Sequence, residues 1–293
     1  MCDERTLKDW SAYLREHPPI SRRAFGAMSA GVGLAVALPP VANAQAVTET
    51  DVEVTTPDGV ADCYFVHPSS GTHAAVIVWP DILGLRPAFR GMGRRLAQSG
   101  YSVLVVNPFY RGARSPVVPE GATFNDPEVR DTVFPLAQAL NAETHVTDAI
   151  AFVDWLDEQD AVAGDRQMGT IGYCMGGPMV MRTAAARADR IGAGGSFHGG
   201  GLATADNPQS PHLLIPEMSA GFLIAIAEND DNQDPNAKVL LREAFDSAGL
   251  MAEIEVYEGA QHGWCPPDSA VYHEAQAERA WSRLLVLFER ALA

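Results

Sequence analysis

The sequence predicts an α/β fold, with a mostly parallel central sheet flanked by helices and entered through an antiparallel hairpin. Three observations carry that prediction. Strand-like and helix-like segments take turns from residue 74 onward, the pattern of a parallel sheet wrapped by crossover helices. Ala74–Trp79 is a continuous apolar run, as expected of a strand covered on both faces. Before it, Asp51–Thr55 alternates polar and apolar residues and meets the turn Pro57-Asp58-Gly59, so Ala61–His67 reads as the returning arm of a hairpin.

The elements follow in order. A helix is predicted over Phe89–Gln98, ending at Gly100, a residue suited to a helix terminus. Ser102–Val106 is a buried strand, and Ala142–Glu158 is a helix with Ile150, Val153 and Leu156 at core spacing. Gln167–Ile171 is a strand and Met175–Arg187 a helix; Gly192–Phe197 and Phe222–Ala227 are further strands. Lys238–Ser247 is helical, Glu253–Tyr257 is the last strand, and Val271–Leu292 closes the chain as a helix. In that helix Trp281, Leu284, Leu285 and Phe288 mark one buried face. Gly112–Leu140 has weak periodicity and four prolines, and is expected to form an insertion or cap near the strand ends, where loops carry function.

The first forty-odd residues read as an address. Ser21-Arg22-Arg23 precedes an uncharged stretch, mildly apolar from Ala24 to Leu38, and Val41-Ala42-Asn43-Ala44 offers a small-residue cleavage site. Paired arginines behind a long polar leader are the layout of twin-arginine export. Residues 1–44 are therefore expected to be a signal peptide, and 45–293 a single domain in the periplasm or beyond. The alternative is a cytoplasmic protein with a disordered tail or a membrane-anchoring helix. No stable membrane partner is expected after cleavage.

Composition excludes more than it assigns. With 37 acidic against 21 basic residues, the formal charge of −16 repels phosphate backbones, so no nucleic-acid partner is expected. Four cysteines, at 2, 63, 174 and 265, show neither metal-ligand spacing nor a CxxC pair. No metal and no organic cofactor is expected. Cys63 and Cys265 could form a disulfide in an exported protein.

The sharpest chemical signal is Gly172-Tyr173-Cys174-Met175-Gly176, directly after a predicted strand and opening a predicted helix. This is the nucleophile-elbow pattern with cysteine in place of serine. The turn is tight enough to need glycine two residues before and two after the nucleophile, and the helix start favours a thiolate. A nucleophile needs a base, and His262 in Gly259-Ala-Gln-His-Gly263 lies just beyond the last strand, where the order nucleophile, acid, histidine places it. The acid should follow the preceding strand, in Glu228-Asn229-Asp230-Asp231. Asp230 is preferred and Asp231 remains the alternative, since pattern does not separate neighbours.

With these landmarks, residues 50–290 resemble the dienelactone hydrolase family of the α/β-hydrolase superfamily. The matching pieces are Trp79-Pro-Asp-Ile-Leu-Gly-Leu85, Asn107-Pro-Phe-Tyr-Arg111, Ile171-Gly-Tyr-Cys-Met-Gly-Gly177, the acid turn and the Gln-His-Gly turn. The resemblance implies an α/β-hydrolase fold and a Cys-His-Asp triad. It gives Asp81 the place of an acidic residue, usually glutamate, that helps turn the thiol into thiolate; aspartate is one methylene shorter. It implies an oxyanion hole from the N–H groups of Ile82 and Met175. Arg111 matches an arginine that grips a substrate carboxylate, with a surface salt bridge as its plainer reading. A second such arginine belongs four residues after the histidine, where this chain has Pro266. Half of that clamp is missing, so dienelactone itself is a doubtful substrate. Trp264 and His198 are further candidates for substrate contact, although burial alone or a plain loop role would account for them.

The expected activity is hydrolysis of a small ester or lactone through an acyl-enzyme on Cys174. The rivals are a thioesterase or general carboxylesterase, and a non-catalytic binding protein on the same fold. The sequence names neither substrate nor oligomeric state, and a monomer is the simplest expectation.

Overall fold

The computed structural model describes residues 4–16 and 38–293. The paired arginines and most of the apolar run of the leader lie outside the described residues, as does Cys2. Eight strands form one sheet in the order β1-β2-β4-β3-β5-β6-β7-β8. The hairpin is β1 (Val47–Thr56) and β2 (Gly59–Pro68), joined antiparallel through the predicted turn, and β2 also runs antiparallel to β4 (Ser102–Val105). From there β3 (Ala75–Trp79), β5 (Met168–Tyr173), β6 (Ile191–Phe197), β7 (Gly221–Ala227) and β8 (Ala252–Tyr257) are parallel. Their carboxyl ends therefore point the same way, and loops that follow them meet at one edge of the sheet.

Helices cover both faces. Helices α4 (Ala142–Asp157), α5 (Gly176–Ala186) and α7 (Ala237–Ala248) pack one core, in which Phe152, Met179, Val180, Leu241 and Phe245 are buried. Helices α2 (Pro87–Gln98) and α8 (Glu274–Ala291) pack the other, with Phe89, Leu96, Leu284 and Phe288. Each such side chain taken from water contributes about 1.5–3 kcal/mol before entropy is counted. Local signals fix several helix ends. Asn141 caps α4 through a reciprocal pair with Thr144, and Gly249 ends α7 in the left-handed conformation.

Differences from the predicted elements have physical causes. The closing helix begins at Glu274, not Val271, because His273 turns its ring to accept from the Gln276 N–H, while Val271 is buried among the strand-end loops. Within the 112–140 segment, α3 (Pro127–Gln138) forms behind an Asp126 cap. Two short elements were not foreseen: a 3₁₀ turn over Pro211–Glu217 and α6 (Glu228–Gln233). The polar leader also contains structure, helix α1 (Glu4–Glu16). Cys63 is buried in one face's core and Cys265 in the other's, and both are free thiols. The sheet separates them, which rules out the disulfide considered above. Among the described residues, no helix is long and apolar enough to cross a membrane.

Candidate active site

The strand β5 to helix α5 junction is built as the motif demands. Cys174 sits at φ +53°, a left-handed conformation unusual for a side-chain-bearing residue. Gly172 and Gly176 make the turn possible: a Cβ on Gly172 would lie 2.3 Å from the Gly176 carbonyl oxygen, and one on Gly176 would lie 2.4 Å from that of Trp79. The Cys174 N–H donates to the Phe197 carbonyl at 3.0 Å, tying the elbow to the neighbouring strand end. Cys174 is buried, and it shares a cavity with Ile82, His198 and His262. Met175, next in the chain, stands at the N-cap of α5.

His262 and the acid turn meet from β8 and β7. The two oxygens of Asp230 lie 2.8 and 3.0 Å from His262 Nδ1. Of the two aspartates left open, Asp230 is thus the one that touches the imidazole; Asp231 is taken by Lys238 at 2.6 Å. Asn229, in the same turn, accepts from the His262 backbone N–H at 2.7 Å and fixes the histidine loop against the acid turn. Burial alone would lower the His262 pKa. The Asp230 carboxylate and the Cys174 thiolate outweigh it and raise it to about 10. A charged imidazolium at neutral pH is what this shift favours for His262.

Asp81 lies close enough to Cys174 for their charges to interact, but its oxygens are committed elsewhere. Arg86 donates to both of them, at 2.6 and 2.9 Å, and the Leu83 N–H donates to Oδ1 at 2.9 Å. Arg86 also forks onto Asp268 at 2.7 and 3.0 Å. Burial pushes the Asp81 carboxyl up, and Arg86 opposes it. Sequence reasoning missed Arg86 and Asp268, which line the cavity together with Phe124 and Trp10. The first pair is 182 positions apart and carries no motif.

His198 lies against His262, with ring centroids 5.1 Å apart, at φ +41°. Neither of its ring nitrogens has a hydrogen-bond partner. Burial, helped by His262, pushes its pKa down to about 3, so it is neutral. Trp264 is fully buried, stacked on Tyr257 and edge-on to His198; it stands behind the cavity wall and does not line it. Arg111 is likewise not among the lining residues. It is held between Asp148, at 2.7 and 2.9 Å, and Asp58, at 2.6 and 3.0 Å. Four of its five N–H donors go to those carboxylates, so in this arrangement it follows its plainer salt-bridge reading. Among the described residues, no group of histidines, cysteines and carboxylates could hold a metal ion.

A parallel sheet with this elbow, an acid turn after β7 and a histidine after β8 defines an α/β-hydrolase. The comparisons narrow the class. The model of the dienelactone hydrolase family matches residues 61–292, and the chain belongs to that family. A carboxymethylenebutenolidase of Rhodococcus opacus is 27% identical over 233 residues, covering 78% of this chain and 86% of the relative. A Bradyrhizobium protein named as a probable 2-oxo-3-(5-oxofuran-2-ylidene)propanoate lactonase is 25% identical over 220 residues, covering 74% and 84%. Among solved structures, a dienelactone hydrolase-like promiscuous phosphotriesterase from metagenomic libraries superposes with a TM-score of 0.70 at 19% identity, over 85% of this chain and all of that one. At that identity the likeness speaks for the fold alone. The chain is a dienelactone hydrolase-like hydrolase.

Proposed function

We propose that this hydrolase opens small esters or lactones with Cys174 as nucleophile, His262 as base and Asp230 as the acid that orients it. One observation carries the reading: a strained cysteine at a strand-helix elbow shares a buried cavity with an imidazole whose other face is held 2.8 Å from a carboxylate. The Cys174 thiolate attacks the carbonyl carbon, and the carbonyl π electrons move onto oxygen. The N–H groups of Ile82 and Met175 receive that oxyanion in this reading. Collapse of the tetrahedral intermediate breaks the ester C–O bond, and imidazolium gives its proton to the leaving alkoxide. Neutral His262 then takes a proton from water, which attacks the thioester and releases the acid with the thiolate restored. In a lactone the leaving alcohol stays attached to the acyl chain.

The substrate class follows from charge. Beside His262, the cation lining the cavity is Arg86, and two aspartates already neutralise it. Arg111 is engaged elsewhere and Pro266 replaces the second arginine of the family clamp. Neutral esters and lactones therefore suit the cavity better than carboxylated ones. The 25% identical lactonase relative and the carboxymethylenebutenolidase support hydrolysis of a lactone over the thioesterase alternative. The intact set of nucleophile, base and acid argues against a non-catalytic binding protein. Export through the leader remains part of this reading, supported by the signal layout of residues 1–44.

The test is hydrolysis of p-nitrophenyl acetate and a panel of neutral and anionic lactones by wild type and Cys174→Ala. Turnover should be lost in the variant with its circular dichroism unchanged. Equal turnover in both would overturn the assignment of Cys174.

A further inference from the structure

The cavity beside Cys174 is nearly full. Its volume is about 30 Å³, room for about one water molecule, whereas sites for small molecules measure roughly 300 Å³ or more. Part of its wall is a segment of the leader. Trp10, on helix α1, is only 6% exposed and packs edge-on against Phe124, with ring centroids 6.4 Å apart. Its Nε1–H donates to the His262 carbonyl oxygen at 2.7 Å. Asp9, its neighbour, accepts from Asn229 at 3.0 Å and from Gln233 at 2.6 Å. Asn229 is the residue that holds the His262 backbone, so α1 grips both turns that build the site. Tyr13 and Leu14 extend the contact onto the apolar cluster of Ile82, Val118, Phe124 and Cys174.

We propose that helix α1 is an intramolecular plug that keeps substrate from Cys174 while the leader is attached. The inference rests on the hydrolase reading above and adds its regulation. A helix of 13 residues is marginal alone in water, so its order depends on docking, in which Trp10 and Asp9 hold the two turns of the site. Cleavage after Ala44 would remove the plug together with the leader, leaving the enzyme closed before processing and open after it.

The experiment uses the full chain as wild type, Asp9→Ala, Trp10→Ala and the double variant. Iodoacetamide alkylation of Cys174 is followed by peptide mass, which separates it from the other three cysteines, and p-nitrophenyl acetate turnover is measured in parallel. Alkylation of Cys174 should be at least tenfold faster in Trp10→Ala and the double variant, with Asp9→Ala between them and wild type. Equal or slower alkylation in the two Trp10 variants would overturn the plug. Faster alkylation with no ester turnover in any form would uphold the plug and sink the hydrolase reading, so the two failures are distinct.

Discussion

His262 is buried, yet it carries a pKa of about 10, because Asp230 stands against Nδ1 and the Cys174 thiolate adds to its field. Together they outweigh the desolvation of the imidazolium. The pair of aspartates gives a clean control. In Asp230→Asn the imidazole loses its orienting charge, and kcat should fall on the order of 10⁴-fold. The thiolate absorbance near 240 nm at neutral pH should fall with it. Asp231→Asn, which removes only the partner of Lys238, should leave kcat within about twofold of wild type, as surface ion pairs contribute little. Comparable losses in the two variants would mean that the acid has been misassigned. The choice between these neighbours was not legible in the sequence, since it depends on which way a six-residue helix, α6, turns each carboxylate.

At the scale of elements, the elbow is a demanding piece of backbone, with two glycines closed in by backbone oxygens. Gly176→Ala would drive a Cβ to within 2.4 Å of the Trp79 carbonyl oxygen, a rigid backbone atom in the neighbouring strand end. Such overpacking costs about 1–3 kcal/mol or more, and urea unfolding should show it as a lower midpoint. Gly164→Ala, with open space around the new methyl group, should unfold like wild type. Loss of stability in both, or in neither, would remove the steric argument. This element was readable because sequence writes it locally: an apolar strand, two glycines at fixed offsets, then a helix. The same holds for the hairpin and the parallel strands, whose alternating or continuous apolar runs encode burial directly. Helix α6 was not readable, because its sequence Glu-Asn-Asp-Asp-Asn-Gln has no apolar periodicity. Helix α1 was hidden for another reason. Its one buried tryptophan sits in a polar segment, and only the distant Phe124 and His262 loop explain why that face docks. Arg86 and Asp268 were equally invisible, since an ion pair across 182 positions leaves no local trace.

For the whole molecule, three buried histidines set opposing dependences of stability on pH. His145 and His198 are kept neutral by burial, with pKa values pushed down to about 3. In the unfolded chain they return to roughly 6.5. Between those values the unfolded state binds protons that the folded state refuses, so stability falls as pH drops through that window. His262 has the opposite sign. Its folded pKa of about 10 means that its contribution is fully present below roughly 6.5 and is lost as pH rises toward 10. The histidine contributions together are therefore largest near pH 6.5. The net charge of −16 adds a repulsion that eases as carboxylates protonate, opposite in sign to the acid limb of the histidines. Comparing variants at each pH removes that shared background. His145 lies away from the cavity and makes a 3.3 Å contact with Arg182. In urea titrations from pH 4 to 9, His145→Gln should show a shallower fall of stability below pH 6.5 than wild type. His262→Gln should instead flatten the alkaline limb. If His145→Gln keeps the wild-type slope on the acid side, that histidine is not held neutral in the folded protein, and its share of the acid limb belongs to other groups.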